Sequence, residues 1–175
     1  MFKHLALAAV VVISGCAKID THPVPPPATG CDIEVLLTPY QQSPPVEKST
    51  ATGKFSLNTE TGQYAIRIHG FDFDTKTPEP TPLKTHLHCA KPSANGPVVY
   101  ALSDSWKPSS HNTYTATGMI VDSEVVDSES NSACSFWIRN LKDLQEALNA
   151  GELYVNVHSV EHPFGEIRGQ IYTGQ

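Results

Sequence analysis

Between residues 32 and 172 the chain repeatedly alternates apolar and polar side chains over five to eight positions, and this rhythm limits it to half-buried strands. The segments are 32–38, 53–57, 63–69, 84–89, 98–102, 113–121, 152–158 and 166–172. Between them lie runs such as Thr59-Glu60-Thr61-Gly62 and the proline- and threonine-rich stretch 75–82, which cannot extend a central sheet. Strands joined by such short turns pair antiparallel.

One segment breaks the rhythm. Leu141, Leu144 and Leu148 recur at helical spacing, with Asn140 placed to cap the start and Gly151 just past the end. The expectation is an all-β domain, an antiparallel Greek-key sandwich or barrel of immunoglobulin-like proportions, with one short helix over an end of the core.

What precedes the domain sets its compartment. Lys3 and the apolar run Leu5 to Ile13 read as a signal-peptide core. Its nine residues rise about 14 Å as a helix, and a bilayer core is about 30 Å thick. The junction Ile13-Ser14-Gly15-Cys16 resembles the lipobox of bacterial lipoproteins. That likeness implies cleavage after residue 15, diacylation of Cys16 (palmitate being the usual acyl group) and permanent anchoring in a membrane. Ala17 at the next position favours the outer membrane, with the domain facing either the periplasm or the exterior. Residues 16–30 carry Pro23, Pro25, Pro26 and Pro27 and read as an extended stalk of up to roughly 40 Å. Residues 31–175 then form one domain.

Loss of residues 1–15 removes one lysine and leaves 11 basic against 18 acidic side chains, which argues against a nucleic-acid partner. Asp122, Glu124, Asp127 and Glu129 are the densest acidic run, read as a solvated loop with a calcium site as the alternative. With Cys16 lipidated, Cys31, Cys89 and Cys134 allow one disulfide. Cys89 with Cys134 is the expected pair, both lying inside the strongest strand pattern, and Cys31 with Cys89 stays open.

The sharpest chemical feature is Thr85-His86-Leu87-His88-Cys89. Residues two apart on a strand share a face, so His86 and His88 stand side by side on the outer surface while Leu87 and Cys89 point inward. The same parity puts Tyr154, Asn156 and His158 outward, and Glu166, Arg168 and Gln170 outward on the strand after it. Residues 159–165, with Pro163 and Gly165, make these two strands a hairpin. His158 then falls near Glu166 and Asn156 near Arg168. Two outcomes are open: the three histidines gather around one metal ion, or they hydrogen-bond locally and brace the hairpin, with Asn156 satisfying backbone groups. Glu166 and Arg168 read as a cross-strand ion pair or as an acid and an anion clamp. His69, His111 and His162 carry weaker claims as surface histidines.

The blocks 85–89, Asn95-Gly96-Pro97-Val98-Val99, Ala150 to His158 and Pro163 to Ile171 together resemble the CHRD domain family, known from the animal protein chordin and from bacterial secreted proteins. The resemblance spans roughly residues 31–172 and implies a β-sandwich that binds a protein or small ligand. The chain departs from it after Cys89, where a glycine-rich stretch is usual, and in the acidic segment 121–132. A weaker similarity, His-x-His plus a later Val-His strand, is to the copper ligands of Cu/Zn superoxide dismutases. It implies copper, or zinc, on His86, His88 and His158, with Arg168 drawing in an anion. The chain has no bridging histidine or zinc loop of that family. It also lacks Gly-x-Ser-x-Gly, His-Glu-x-x-His and phosphate-loop motifs, so no nucleophilic enzyme class is indicated.

Overall fold

The computed structural model describes residues 32–71, 84–103, 105–110 and 112–173. The signal segment, Cys16, the stalk, Cys31 and His111 lie outside the described residues. Nine strands and one helix follow in chain order: β1 Asp32–Leu37, β2 Thr52–Asn58, β3 Gln63–His69, β4 Thr85–Cys89, β5 Val98–Ala101, β6 Lys107–Ser110, β7 Thr113–Met119, α1 Leu141–Asn149, β8 Leu153–Val157 and β9 Ile167–Ile171. They form two antiparallel sheets, one ordered β1-β2-β3-β7-β6 and the other β5-β4-β8-β9. The all-β sandwich with one short helix is therefore the fold.

The core lies between the sheets. Val35, Leu37, Phe55, Leu57, Ile66 and Ile68 face Leu87, Val155, Val157, Ile167 and Ile171, all 7 % exposed or less. At one edge the sheets meet: Thr38 and Arg168 exchange both backbone hydrogen bonds, at 2.9 and 3.0 Å, so the sandwich is partly closed like a barrel. Helix α1 buries Leu144 and Leu148, worth roughly 2 kcal/mol each. Its Asn140 cap accepts from Asp143 N–H at 3.0 Å, contributing about 1 kcal/mol.

The structure adds one strand to the eight expected. β6, Lys-Pro-Ser-Ser, has no alternation of apolar and polar side chains and is exposed throughout, so no periodicity marks it. It lies at the edge of its sheet, where Pro108 needs no further partner. The cysteine pairing is Cys89–Cys134, with Cα atoms 5.3 Å apart. In the acidic run, Asp122 accepts from Leu141 N–H, Glu124 from the Tyr100 hydroxyl and Asp127 from Trp137 Nε1. These three carboxylates turn to three separate parts of the chain: α1, β5 and the loop ahead of α1.

Strand parity holds, but the outer face of the β4-β8-β9 sheet is not at the surface. Every residue of β8 and β9 is buried, including Tyr154, Asn156, Arg168 and Gln170. Two loops cover it. Gln42 donates to Asn156 Oδ1 at 2.6 Å and Ser49 to Glu166 Oε1 at 2.6 Å, while Ala90 and Ala94 carbonyls accept from Gln170 and Arg168.

Candidate metal centre

His86 and His88 come from β4, opposite Asn156 and Tyr154 of β8. His158 follows β8, where its N–H bonds to Lys84 O, and this places it diagonal to His86. The register of β4 with β5 slips between Leu87 and His88. Such bulges re-aim a strand's side chains. The three rings meet: centroids lie 4.9 Å apart for His86–His158, 5.7 Å for His86–His88 and 6.2 Å for His88–His158. One nitrogen from each can be chosen so that all three lie within 4.8 Å of one another.

Hydrogen bonds fix the tautomers of two of the rings. His88 Nδ1 lies 2.9 Å from Gly96 O and His158 Nδ1 lies 3.0 Å from Pro163 O. A carbonyl oxygen only accepts, so both Nδ1 atoms carry the proton and both Nε2 atoms present a lone pair. His158 Nε2 accepts from His86 Nδ1 at 3.1 Å, a proton that a metal ion on these two nitrogens would displace. His88 Nε2 is buried without a hydrogen-bond partner among the described residues. Two nitrogens bound about 2.0–2.1 Å from one ion lie roughly 3 Å apart, as the His86–His158 pair does. A backbone carbonyl holding the far N–H of a ligand imidazole is the usual outer support of such a site. The residues present therefore fit a three-imidazole centre for Cu(II) or Zn(II).

Electrostatics favours neutral rings. Burial pushes His88 down to about 4, against the Gly96 hydrogen bond, and His86, His158 and Arg168 add to the lowering. His86 is lowered by burial, then by His158 and Lys84; His158 is lowered by burial and Lys84 against the Pro163 carbonyl. Neutral imidazoles are the metal-binding form.

Other expectations resolve differently. His88, expected on the surface, is only 8 % exposed, because the Ala90–Gly96 loop lies over it. The Glu166–Arg168 ion pair is absent: Glu166 accepts from Ser49, and Arg168 is 1 % exposed, donating to Ala94 O, Asn95 Oδ1 and Gln170 Oε1. The guanidinium lies 3.5 Å over the Tyr154 ring, which also stacks on His88 at 4.8 Å. Arg168 thus holds the loop that orients His88, and burial lowers its pKa. Asn156 Nδ2 donates to Phe164 O, tying down the β8–β9 hairpin as anticipated. His69 pairs with Thr113 and His162 sits in the hairpin turn, both away from the cluster.

Sequence reasoning missed the two carbonyls, Gly96 and Pro163, and the clamp formed by Tyr154, whose hydroxyl accepts from Gly96 N–H at 3.3 Å. The signal was the Asn95-Gly96-Pro97 turn. A Cβ at position 96 would drive into the Cys89 carbonyl, so only glycine lets this loop lie so close to β4.

Compared with known proteins, the chain matches the model of the CHRD domain over residues 33–171. No curated protein and no solved structure matches it. The matched span takes in both sheets, the helix and all three clustered histidines, so the chain belongs to the CHRD domain family.

Proposed function

We propose that this CHRD domain is a metal-binding module of a bacterial cell envelope, anchored by lipid on Cys16 and taking one Cu(II) or Zn(II) ion on His86 Nδ1, His88 Nε2 and His158 Nε2. The observation that carries this reading is the buried, unpartnered Nε2 of His88, aimed with its far nitrogen locked on Gly96 O. A buried polar atom left unsatisfied costs about 1–3 kcal/mol, and coordination removes that cost. With three protein ligands the ion would keep a position open for a small ligand.

Metal content tests it. The full-length protein, purified from copper-supplemented medium, should carry one ion per chain, and the His86→Ala/His88→Ala/His158→Ala variant none. Equal metal in both would end the proposal. The anchor is tested separately: an alkyne analogue of palmitate should label the wild type and not Cys16→Ser, and label retained in Cys16→Ser would refute it.

A second reading, recognition of a protein or small ligand, is favoured by Phe164 and Val160, which stand 93 % and 71 % exposed on the hairpin that holds His158. It predicts binding that survives loss of all three histidines.

A further inference from the structure

A second site lies on the opposite side of the β4 backbone, where helix α1 caps one end of the sandwich. A cavity of about 240 Å³ opens there between α1 and the turn joining β2 to β3. Native cores rarely hold spaces larger than a water molecule, and an apolar cavity of about 150 Å³ is enough to take benzene. Its depth is aliphatic: Leu57, Leu87, Leu144, Leu148, Leu153 and Ile171, drawn from both sheets and the helix. Among the described residues, the buried side-chain polar atoms lacking a partner, Thr85 Oγ1 and His88 Nε2, belong to residues outside this wall. The six depth side chains carry no polar atom, so they hold an occupant by apolar burial and shape.

The rim is polar. Asn58, Thr61 and Gln145 bring amide and hydroxyl groups, and Glu60 brings an exposed carboxylate. Asn58 Oδ1 is already taken by Glu60 N–H, Thr61 N–H and the Thr61 hydroxyl, which stiffens the turn at the mouth. The chain as a whole is acidic, with a formal net charge of −6. The acidity disfavours an anionic head at the rim, and the rim's amide and hydroxyl groups offer hydrogen-bonding partners to an uncharged hydroxyl head.

We infer that this cavity binds the hydrocarbon chain of a neutral single-chain amphiphile, its tail among the leucines and its hydroxyl-type head at the Asn58–Gly62 turn. Leucine side chains adapt to a flexible alkyl chain, and Leu141, partly exposed at the mouth, offers further apolar contact. The site is independent of the metal centre, since parity turns Leu87 inward while His86 and His88 point to the other face.

The test uses full-length protein with methyl-labelled leucine and isoleucine, titrated with 1-octanol and separately with octanoate. Saturable methyl shifts confined to the leucines and isoleucines that line the cavity, Ile120 and Leu141 included, are expected with 1-octanol, with octanoate at least tenfold weaker at low salt. Leu148→Phe, which fills the space, should weaken 1-octanol at least tenfold. If that variant does not fold, the wild-type shift map decides alone. Shifts that never saturate, or that scatter over the surface, would overturn the site, and equal affinity for the two probes would overturn the neutral head.

Discussion

Removing the cross-link with Cys89→Ala/Cys134→Ala should lower the unfolding free energy by about 4 kcal/mol, the chain-entropy value for a loop of 45 residues. The double variant is the right one, because a single change leaves a thiol free to pair with Cys31. The bond ties the last residue of β4 to the loop ahead of α1, where Lys91 N–H also bonds to Ala133 O at 2.9 Å. Cys89 adjoins His88, so the same variant should weaken metal binding as the Ala90–Gly96 loop loosens. Urea unfolding of both proteins measures the difference. A loss below about 1 kcal/mol would mean that the bridge constrains little.

Acidification should destabilise the metal-free protein before its carboxylates begin to titrate. His88 takes up a proton near 6.5 when unfolded and only near 4 when folded. A folded value below the unfolded one gives stability that is fully present above pH 6.5 and is lost as the pH falls towards 4. That gap corresponds to roughly 3 kcal/mol. His86 and His158 are shifted the same way and add to it. Urea curves collected from pH 7 to pH 4.5 should show the decline in the wild type, and a slope shallower by up to about 1.4 kcal/mol per pH unit in His88→Gln. Parallel slopes would show that His88 does not carry the effect.

Much of this was legible because half-buried strands write their parity into the sequence. Segment 63–69 coincides with β3, and the other seven expected segments each contain or overlap a strand to within two residues. The Asn140 cap and the leucine spacing placed α1 correctly. Parity also brought His86, His88 and His158 to one face, which depends only on the two-residue repeat and a short hairpin. What could not be read was the cover over that face. Gln42, Ser49 and Ala94 reach it from loops far away in sequence, and no local pattern announces such contacts. Hence Arg168, whose alternation with Ile167 suggests an outward charge, is among the most deeply buried side chains. The backbone carbonyls that fix the imidazoles are equally silent, since an acceptor of that kind is carried by every residue.

Three imidazoles converge, two of them held by main-chain carbonyls. Isothermal titration of Cu(II), or of Zn(II), into metal-free full-length protein at pH 7 tests a metal site on them most directly. One ion per chain is predicted, with binding weakened about 100-fold when Gly96→Ala displaces the carbonyl that orients His88, and abolished when all three histidines are alanine. Absence of a saturable heat in the wild type, or a stoichiometry of one that survives the triple variant, would contradict it.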